Sequence, residues 1–157
     1  AGWNAGLARW NALDRLLESG ELKSVERSID LHGEWIGSML RLSEALIEEF
    51  GLTRTQERDS SALVDASLLH TPRAAETLGR MRAFGTAALV EKNLSYGGRA
   101  ALSGMKERLN EQLAEVDRSL AIAYSADPGL KLRLEGAVSA MKTRIPAPLD
   151  SAAPVVD

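Results

Sequence analysis

The stretch RAALSGMKERLNEQLAEVDRSLAIAYS, residues 99–125, decides the fold class of this chain. Its apolar side chains recur at alternating steps of three and four positions, the spacing of one face of an α-helix. This line consists of Leu102, Met105, Leu109, Leu113, Val116, Leu120 and Ala123. The alternation that would indicate a β-strand is absent, so the pattern predicts one long amphipathic helix.

Similar spacing elsewhere predicts helices over residues 3–19, 24–50, 60–92 and 128–144. The helix over 24–50 has a heptad-like line, which consists of Val25, Ile29, His32, Ile36, Met39, Ser43, Leu46 and Phe50. Pro72 interrupts the helix over 60–92, and we expect a kink rather than a break because no other loop residues surround it.

Turn and cap residues mark the boundaries of these helices. Gly51 is expected to stop the second helix, and Asp59 or Ser60 to cap the third. The segment NLSYGG, residues 93–98, predicts a turn, and Asp127 followed by a proline predicts the start of the last helix.

These elements predict an all-α fold, an up-and-down antiparallel four-helix-type bundle with long helices over residues 1–145. At 1.5 Å per residue, the two longest helices would measure about 40–45 Å. Residues 146–157, rich in Pro and Ala, are expected to form a flexible or extended tail.

Composition excludes several classes of protein. The formal net charge is −3, so a basic face for nucleic acid is not expected. Cysteine is absent, which excludes disulfides and thiolate metal sites. The longest apolar stretch, residues 83–90, is far shorter than the ~20 residues that cross a bilayer. The chain starts directly in an amphipathic segment, and we interpret it as a piece of a larger protein.

Motifs for catalysis are missing. Neither His32 nor His70 has the preceding glutamate of a di-iron bundle, and there is no Gly-x-Ser-x-Gly or phosphate-binding glycine loop. The sequence therefore predicts no enzyme, no metal site and no cofactor. Free haem held by a histidine is the alternative that the residues leave open.

Three side chains are candidates for ligand binding. Arg82 borders the predicted apolar stripe, beside Leu78 and Gly85, whereas Arg80 should turn outward. Arg82 would either pair with a neighbouring glutamate or, with Arg73, clamp a small anionic molecule through two parallel hydrogen bonds. His32 would either pack with one hydrogen bond or contact a ligand inside the bundle. Gly79 and Gly85 would permit close helix packing.

The block LLHTPRAAETLGRMRAFGTAAL, residues 68–89, is the best-matching part of a resemblance that covers about residues 25–145. This part of the chain resembles the periplasmic helical-bundle input domains of bacterial transmembrane receptors, such as methyl-accepting chemotaxis proteins and sensor histidine kinases. The family's Leu-Gly-x-Leu/Met-Arg-x-x-Gly pattern is matched by Leu78, Gly79, Met81, Arg82 and Gly85. The link RTQERD, residues 54–59, departs from the family's aspartate- and tyrosine-rich link, which implies a different ligand or a lost site.

The resemblance implies an extracytoplasmic sensory domain that is a homodimer and reaches the membrane only through flanking segments. Such a domain would bind a small molecule, or a binding protein that carries one, and relay a helix displacement across the membrane. The alternative from another class is a non-enzymatic helical interaction or dimerisation module.

Overall fold

The computed structural model describes residues 2–54, 57–92 and 94–144. Within these residues the chain forms helices and no strand, which confirms the all-α prediction. The α-helices are α1 (Gly2–Glu18), α2 (Val25–Glu49), α3 (Arg58–Val64), α4 (Thr71–Glu91), α5 (Tyr96–Ala126) and α6 (Pro128–Arg144), and a π-helical turn (Asp65–His70) joins α3 to α4. The chain divides into two compact units, Ala1–Phe50 and Gly51–Asp157.

The first unit is a hairpin of α1 and α2. Ser24 caps α2 by accepting a hydrogen bond from the backbone N–H of Arg27 at 3.2 Å. Gly51, with φ of +60°, ends the same helix as predicted, because a residue without a Cβ adopts this left-handed conformation without strain. Trp10 and Trp35 hold the two helices together through ring centroids 4.8 Å apart.

The predicted line along α2 is only partly buried. Its terminal members Val25, Leu46 and Phe50 are exposed, and Ile47, one position away from the line, is the buried residue of this helix. Leu13 is the one large side chain that α1 buries. One neighbouring helix covers only a narrow strip of side chains, so most of each apolar face in the hairpin keeps contact with solvent.

In the second unit, α3, the π-helical turn and α4 follow one another without a loop. Pro72 has no N–H to donate to the preceding turn, and the backbone N–H of Thr71 reaches five residues back to the carbonyl of Ala66. The hydroxyl of Thr71 donates to the same carbonyl at 2.7 Å. The expectation that Pro72 does not break this helical element is confirmed.

The core of this unit lies along α5, which runs antiparallel to the preceding elements. Ala62 packs with Ala123, Ala66 packs with Leu120, and Ala74 and Met81 pack with Leu109. Every member of the line predicted from residues 99–125 is buried or half-buried and belongs to these clusters, except Leu102, which is buried outside them.

The last helix, α6, packs on α5. Its start is as predicted: the Asp127 carboxylate accepts a hydrogen bond from the backbone N–H of Gly129 at 2.8 Å, and Pro128 is the first helical residue. Leu130 is its one buried residue, and Val138 and Met141 pack half-buried against the middle of the core. Near its other end, Lys142 pairs with Asp117 of α5 at 2.8 Å.

Two predicted boundaries were wrong. Tyr96, Gly97 and Gly98 do not form a turn but are the first turn of α5, because Ser95 accepts a hydrogen bond from the backbone N–H of Gly98 at 3.1 Å. The residue before α3 is Glu57, without a side-chain cap, while Asp59 and Ser60 lie inside the helix. The tail predicted over 146–157 lies outside the described residues.

None of the helices in the described ranges is both long and apolar enough to cross a membrane.

Candidate functional site

The second unit has an open groove with a mainly apolar lining. Its volume is about 530 Å³, within the usual range for small-molecule sites. The lining comes from α3, the π-helical turn, the start of α4, and the facing sides of α5 and α6. It consists of Leu63, Ala66, Ser67, Thr71, Val116, Leu120, Leu130, Arg133, Leu134, Ala137, Val138 and Met141.

The small side chains in this lining explain why a groove exists. Ala66, on the π-helical turn, and Ala137, on α6, extend little from their helices, and larger side chains such as Leu134 and Met141 lie around them. The π-helical turn adds one residue to a helical turn and therefore changes which side chains share a face. Such turns are frequent at functional sites, but here the cause is local, because it accompanies Pro72.

The polar groups of the lining are few. The hydroxyl of Ser67 donates to the carbonyl of Leu63 at 2.5 Å, and Thr71 donates to Ala66, so both hydroxyl protons are used within their own helix. Arg133 is the one charged residue of the lining. Its guanidinium is largely exposed and meets the carboxylate of Asp127 at 3.2 Å.

Tyr124 lies behind the groove, where two core clusters meet. Its ring packs against the cluster of Ala62, Ala123 and Leu130 and against the cluster that contains Ala66 and Leu120. The phenolic oxygen is buried and has no hydrogen-bond partner among the described residues. A buried polar group without a partner costs about 1–3 kcal/mol, so this position is energetically unfavourable as it stands.

The predicted arginines lie elsewhere. Arg82 is exposed, and Arg80, which was expected to face outward, is half-buried. The reason is a rotation of the buried face: α4 buries Ala74, Thr77, Met81 and Ala88, and its half-buried flank lies on the side of Arg80 rather than of Arg82.

Arg73 is half-buried on the same flank as Arg80, and its backbone carbonyl accepts a hydrogen bond from Thr77 at 3.1 Å. Neither Arg73 nor Arg82 lines the groove.

His32 belongs to the first unit, whereas Arg73 and Arg82 belong to the second. Its Nδ1 lies 2.7 Å from the backbone carbonyl of Ser28, an acceptor, and must therefore carry the proton. This is the local hydrogen bond of a half-buried histidine within its own helix, one of the two alternatives that the sequence left open.

Glu76 is the titratable group with the clearest effect of burial. Burial raises its pKa above the ordinary value, and the positive charge of Arg80 one turn away opposes that shift. One of its carboxylate oxygens is buried without a hydrogen-bond partner in the described part of the chain, as is the amide oxygen of Gln112 on α5. Glu115 shows the opposite case, because its hydrogen bond from Arg118 lowers its pKa at the surface.

A second concavity lies at the end of α1 in the first unit. It is lined by residues of one helix and its following loop, including Arg15, Glu18 and Glu21. Its charges are mixed and exposed, and no second helix closes it. Among the described residues, no three His, Asp or Glu side chains come together in an arrangement that could hold a metal ion.

Sequence reasoning missed the groove, its charged residue Arg133, and Tyr124 behind it. Both residues are ordinary members of helical patterns, and nothing in their sequence neighbours distinguishes them. The Thr-Pro pair at 71–72 was the one usable signal, since it marked an irregular turn in a long helix.

Comparison with protein-family models, with curated proteins and with solved structures gives no match to this chain. The likeness to receptor input domains therefore depends on the residues quoted above alone.

Proposed function

We propose that this chain is a non-enzymatic, ligand-responsive helical module, the extracytoplasmic input domain of a bacterial transmembrane receptor. The ligand is a small molecule that occupies the groove between the π-helical turn, α5 and α6. The observation that carries the proposal is the groove itself: about 530 Å³, with a mainly apolar lining supplied by the π-helical turn, its flanking helices, α5 and α6.

The groove suits a signalling role because a ligand in it would contact both walls at once. The α6 wall contributes one buried residue, Leu130, and an exposed ion pair between Lys142 and Asp117. An exposed ion pair contributes about 0–1 kcal/mol, so beyond Leu130 this helix is held mainly by the half-buried side chains of Val138 and Met141. A ligand that bridges α6 and the π-helical turn would favour one position of α6 over others.

In the receptor, we propose that these helices belong to an up-and-down bundle in a homodimer, with the displacement of α6 passed to a flanking membrane segment. The support for this part is the resemblance of residues 68–89 and the long antiparallel pair formed by α4 and α5.

The first experiment is a thermal-shift screen of the purified chain against a broad panel of metabolites. We expect at least one compound to raise the melting temperature of the wild type and to lose this effect in Ala137→Trp, which fills the groove. Leu132→Trp adds the same side chain at an exposed position of α6 outside the groove lining, and it should keep the effect.

The result that would overturn the proposal is an absence of any groove-dependent ligand, together with a parent gene that encodes no membrane span on either side of this segment. A groove-dependent ligand without membrane spans would keep the binding role and reject the receptor role.

The second candidate function is an interaction module, and the hairpin supports it. Its exposed large apolar residues are Trp3, Leu7, Trp10, Leu17, Val25, Leu46 and Phe50. Sedimentation of the wild type over a wide concentration range tests this role. Self-association that is lost in the double variant Trp3→Ser, Phe50→Ser and insensitive to groove ligands would favour it.

A further inference from the structure

The groove has a chemistry that narrows the class of its ligand, and this inference rests on the proposed function. Because Ser67 and Thr71 donate their hydroxyl protons within their own helix, the wall formed by α3 and α4 presents hydrocarbon and no free donor. Among the described residues no carboxylate belongs to the lining, so this lining offers a ligand cation no partner. Sugars and amino acids, which need several donors and acceptors, fit this lining poorly.

The single charge lies toward one end of the groove. Arg133 is one turn from Leu130, at the start of α6, and Met141 lines the groove near the end of the same helix. Eight residues separate Arg133 from Met141 in the numbering, and at 1.5 Å per residue they span about 12 Å. The groove is therefore long, apolar along its length, and positively charged toward one end.

Arg133 can exchange Asp127 for a ligand at a small cost in free energy. Its ion pair with Asp127 at 3.2 Å is exposed on both sides, and such pairs contribute little. Asp127 keeps its other role without Arg133, because its second carboxylate oxygen caps α6 through the backbone N–H of Gly129. A carboxylate ligand matches a guanidinium with two parallel hydrogen bonds, which makes it the better partner.

We propose that the groove binds a free, monomeric amphiphile with one negative charge and an unbranched apolar chain, of the medium-chain carboxylate class. The carboxylate lies on Arg133, and the chain runs along α6 over Ala137 and Val138 toward Met141. With carbon–carbon bonds of about 1.5 Å in a zigzag, a span of this length accommodates about ten carbons.

The test is equilibrium binding by calorimetry with decanoate, decanol and decyltrimethylammonium, each below the concentration at which it forms micelles. We expect decanoate to bind several-fold more tightly than decanol, and the cation to bind most weakly. Shortening decanoate to octanoate removes two methylenes and should weaken binding roughly fifteenfold, since each buried methylene contributes about fourfold.

Matched variants separate the contribution of the positive charge to binding from that of the apolar groove. Arg133→Gln should reduce the affinity for decanoate to that for decanol and leave decanol unchanged. Lys131→Gln, which removes a neighbouring exposed charge of α6 outside the lining, should leave both affinities as they are. Ala137→Trp should weaken the binding of all three compounds.

The inference is overturned if Arg133→Gln retains the preference for decanoate, if the cation binds as well as the anion, or if octanoate and decanoate bind equally. It is also overturned if the chain binds vesicles of phosphatidylglycerol but no monomeric carboxylate. A metabolite from the broad panel that binds in the groove while decanoate does not would reject this ligand class and keep the proposed function. If no compound of any class shows binding that Ala137→Trp weakens, both proposals fail.

Discussion

The α1–α2 hairpin and the unit built around α5 contain the same kind of helical pattern but differ in what they bury. In the hairpin, Leu13 and Ile47 are the buried large apolar residues, whereas Trp3 and Phe50 are 62% and 72% exposed. In the second unit, α5 packs against α3 and α4 and also against α6, and Leu109 is completely buried. The comparison shows that apolar spacing predicts which face of a helix is apolar, but the number of packed neighbours decides how much of it is buried.

The largest expected effect comes from truncating the centre of the second unit. Leu109→Ala leaves a cavity between Ala74 and Met81, and we expect a loss of about 2–5 kcal/mol in the free energy of unfolding. Leu17→Ala, on the hairpin, removes the same atoms from a side chain that is 45% exposed, and the loss should stay below about 1 kcal/mol. Urea unfolding followed by circular dichroism measures both, and equal losses would contradict the contrast between the units.

Sequence patterns predicted the second unit better than the hairpin, for the same physical reason. The line over residues 99–125 is correct because α5 has neighbours on more than one side, so nearly every apolar residue on that face finds a partner. On α4, the pattern contains small residues that have little preference between a buried and an exposed position. The buried face is rotated from the predicted one, so Arg80 is half-buried and Arg82 is exposed, the reverse of what the pattern predicted.

The groove was beyond prediction from the sequence because it depends on how α6 lies relative to the π-helical turn on the other side of the groove. Small side chains such as Ala66 and Ala137 have the same helical spacing whether a neighbour fills the space beside them or leaves it open. The Thr-Pro pair predicted an irregularity at 71–72, but the pair alone does not predict a π-helical turn in which the backbone N–H of Thr71 donates to the carbonyl of Ala66.

Helix caps provide one matched probe in each unit. Ser24 and Ser95 accept backbone hydrogen bonds at 3.2 Å and 3.1 Å, so Ser24→Ala and Ser95→Ala should each cost about 1 kcal/mol. If the units unfold separately, amide hydrogen exchange will show the loss for Ser24→Ala only in α1 and α2, and for Ser95→Ala only in α3 to α6. Loss of protection throughout the chain in both variants would show instead that the two units unfold together.

Substitution of glycines inside helices should have a smaller effect, and it should raise the stability rather than lower it. A Cβ at Gly79 or Gly85 would have no neighbour within 4 Å, so these residues do not serve close helix packing as the sequence suggested. Gly79→Ala and Gly85→Ala should each raise the stability by about 0.5–1 kcal/mol, because alanine loses less backbone entropy in a helix.

Gly6 of the hairpin is the contrasting case for these substitutions. A Cβ at Gly6 would meet the end of the Met39 side chain, so Gly6→Ala should gain less unless Met39 moves. Thermal unfolding of the three variants ranks them, and a destabilised Gly79→Ala would show that this face of α4 packs more closely than the structure indicates.

The smallest expected effect is a pH dependence confined to the second unit. Because burial raises the pKa of Glu76 in the folded chain, the folded state binds its proton more strongly than the unfolded state, where the pKa is near the ordinary 4.5. Below pH 4.5 the group is protonated in both states and costs nothing. As the pH rises through the folded pKa, the ionised carboxylate must remain partly buried, and stability falls. Arg80 reduces this loss without removing it.

Glu76→Gln isolates this contribution, since glutamine keeps the shape of the side chain and does not ionise. We expect the variant to be more stable than the wild type at pH 7 and equal to it at pH 4, measured by urea unfolding in buffers of the same ionic strength. Glu111→Gln, at an exposed position of α5, is the control and should give a difference that changes little with pH. A wild type that gains stability relative to Glu76→Gln as the pH rises would mean that attraction to Arg80 outweighs burial at this position, and the half-buried flank of α4 would then stabilise the unit through its charges.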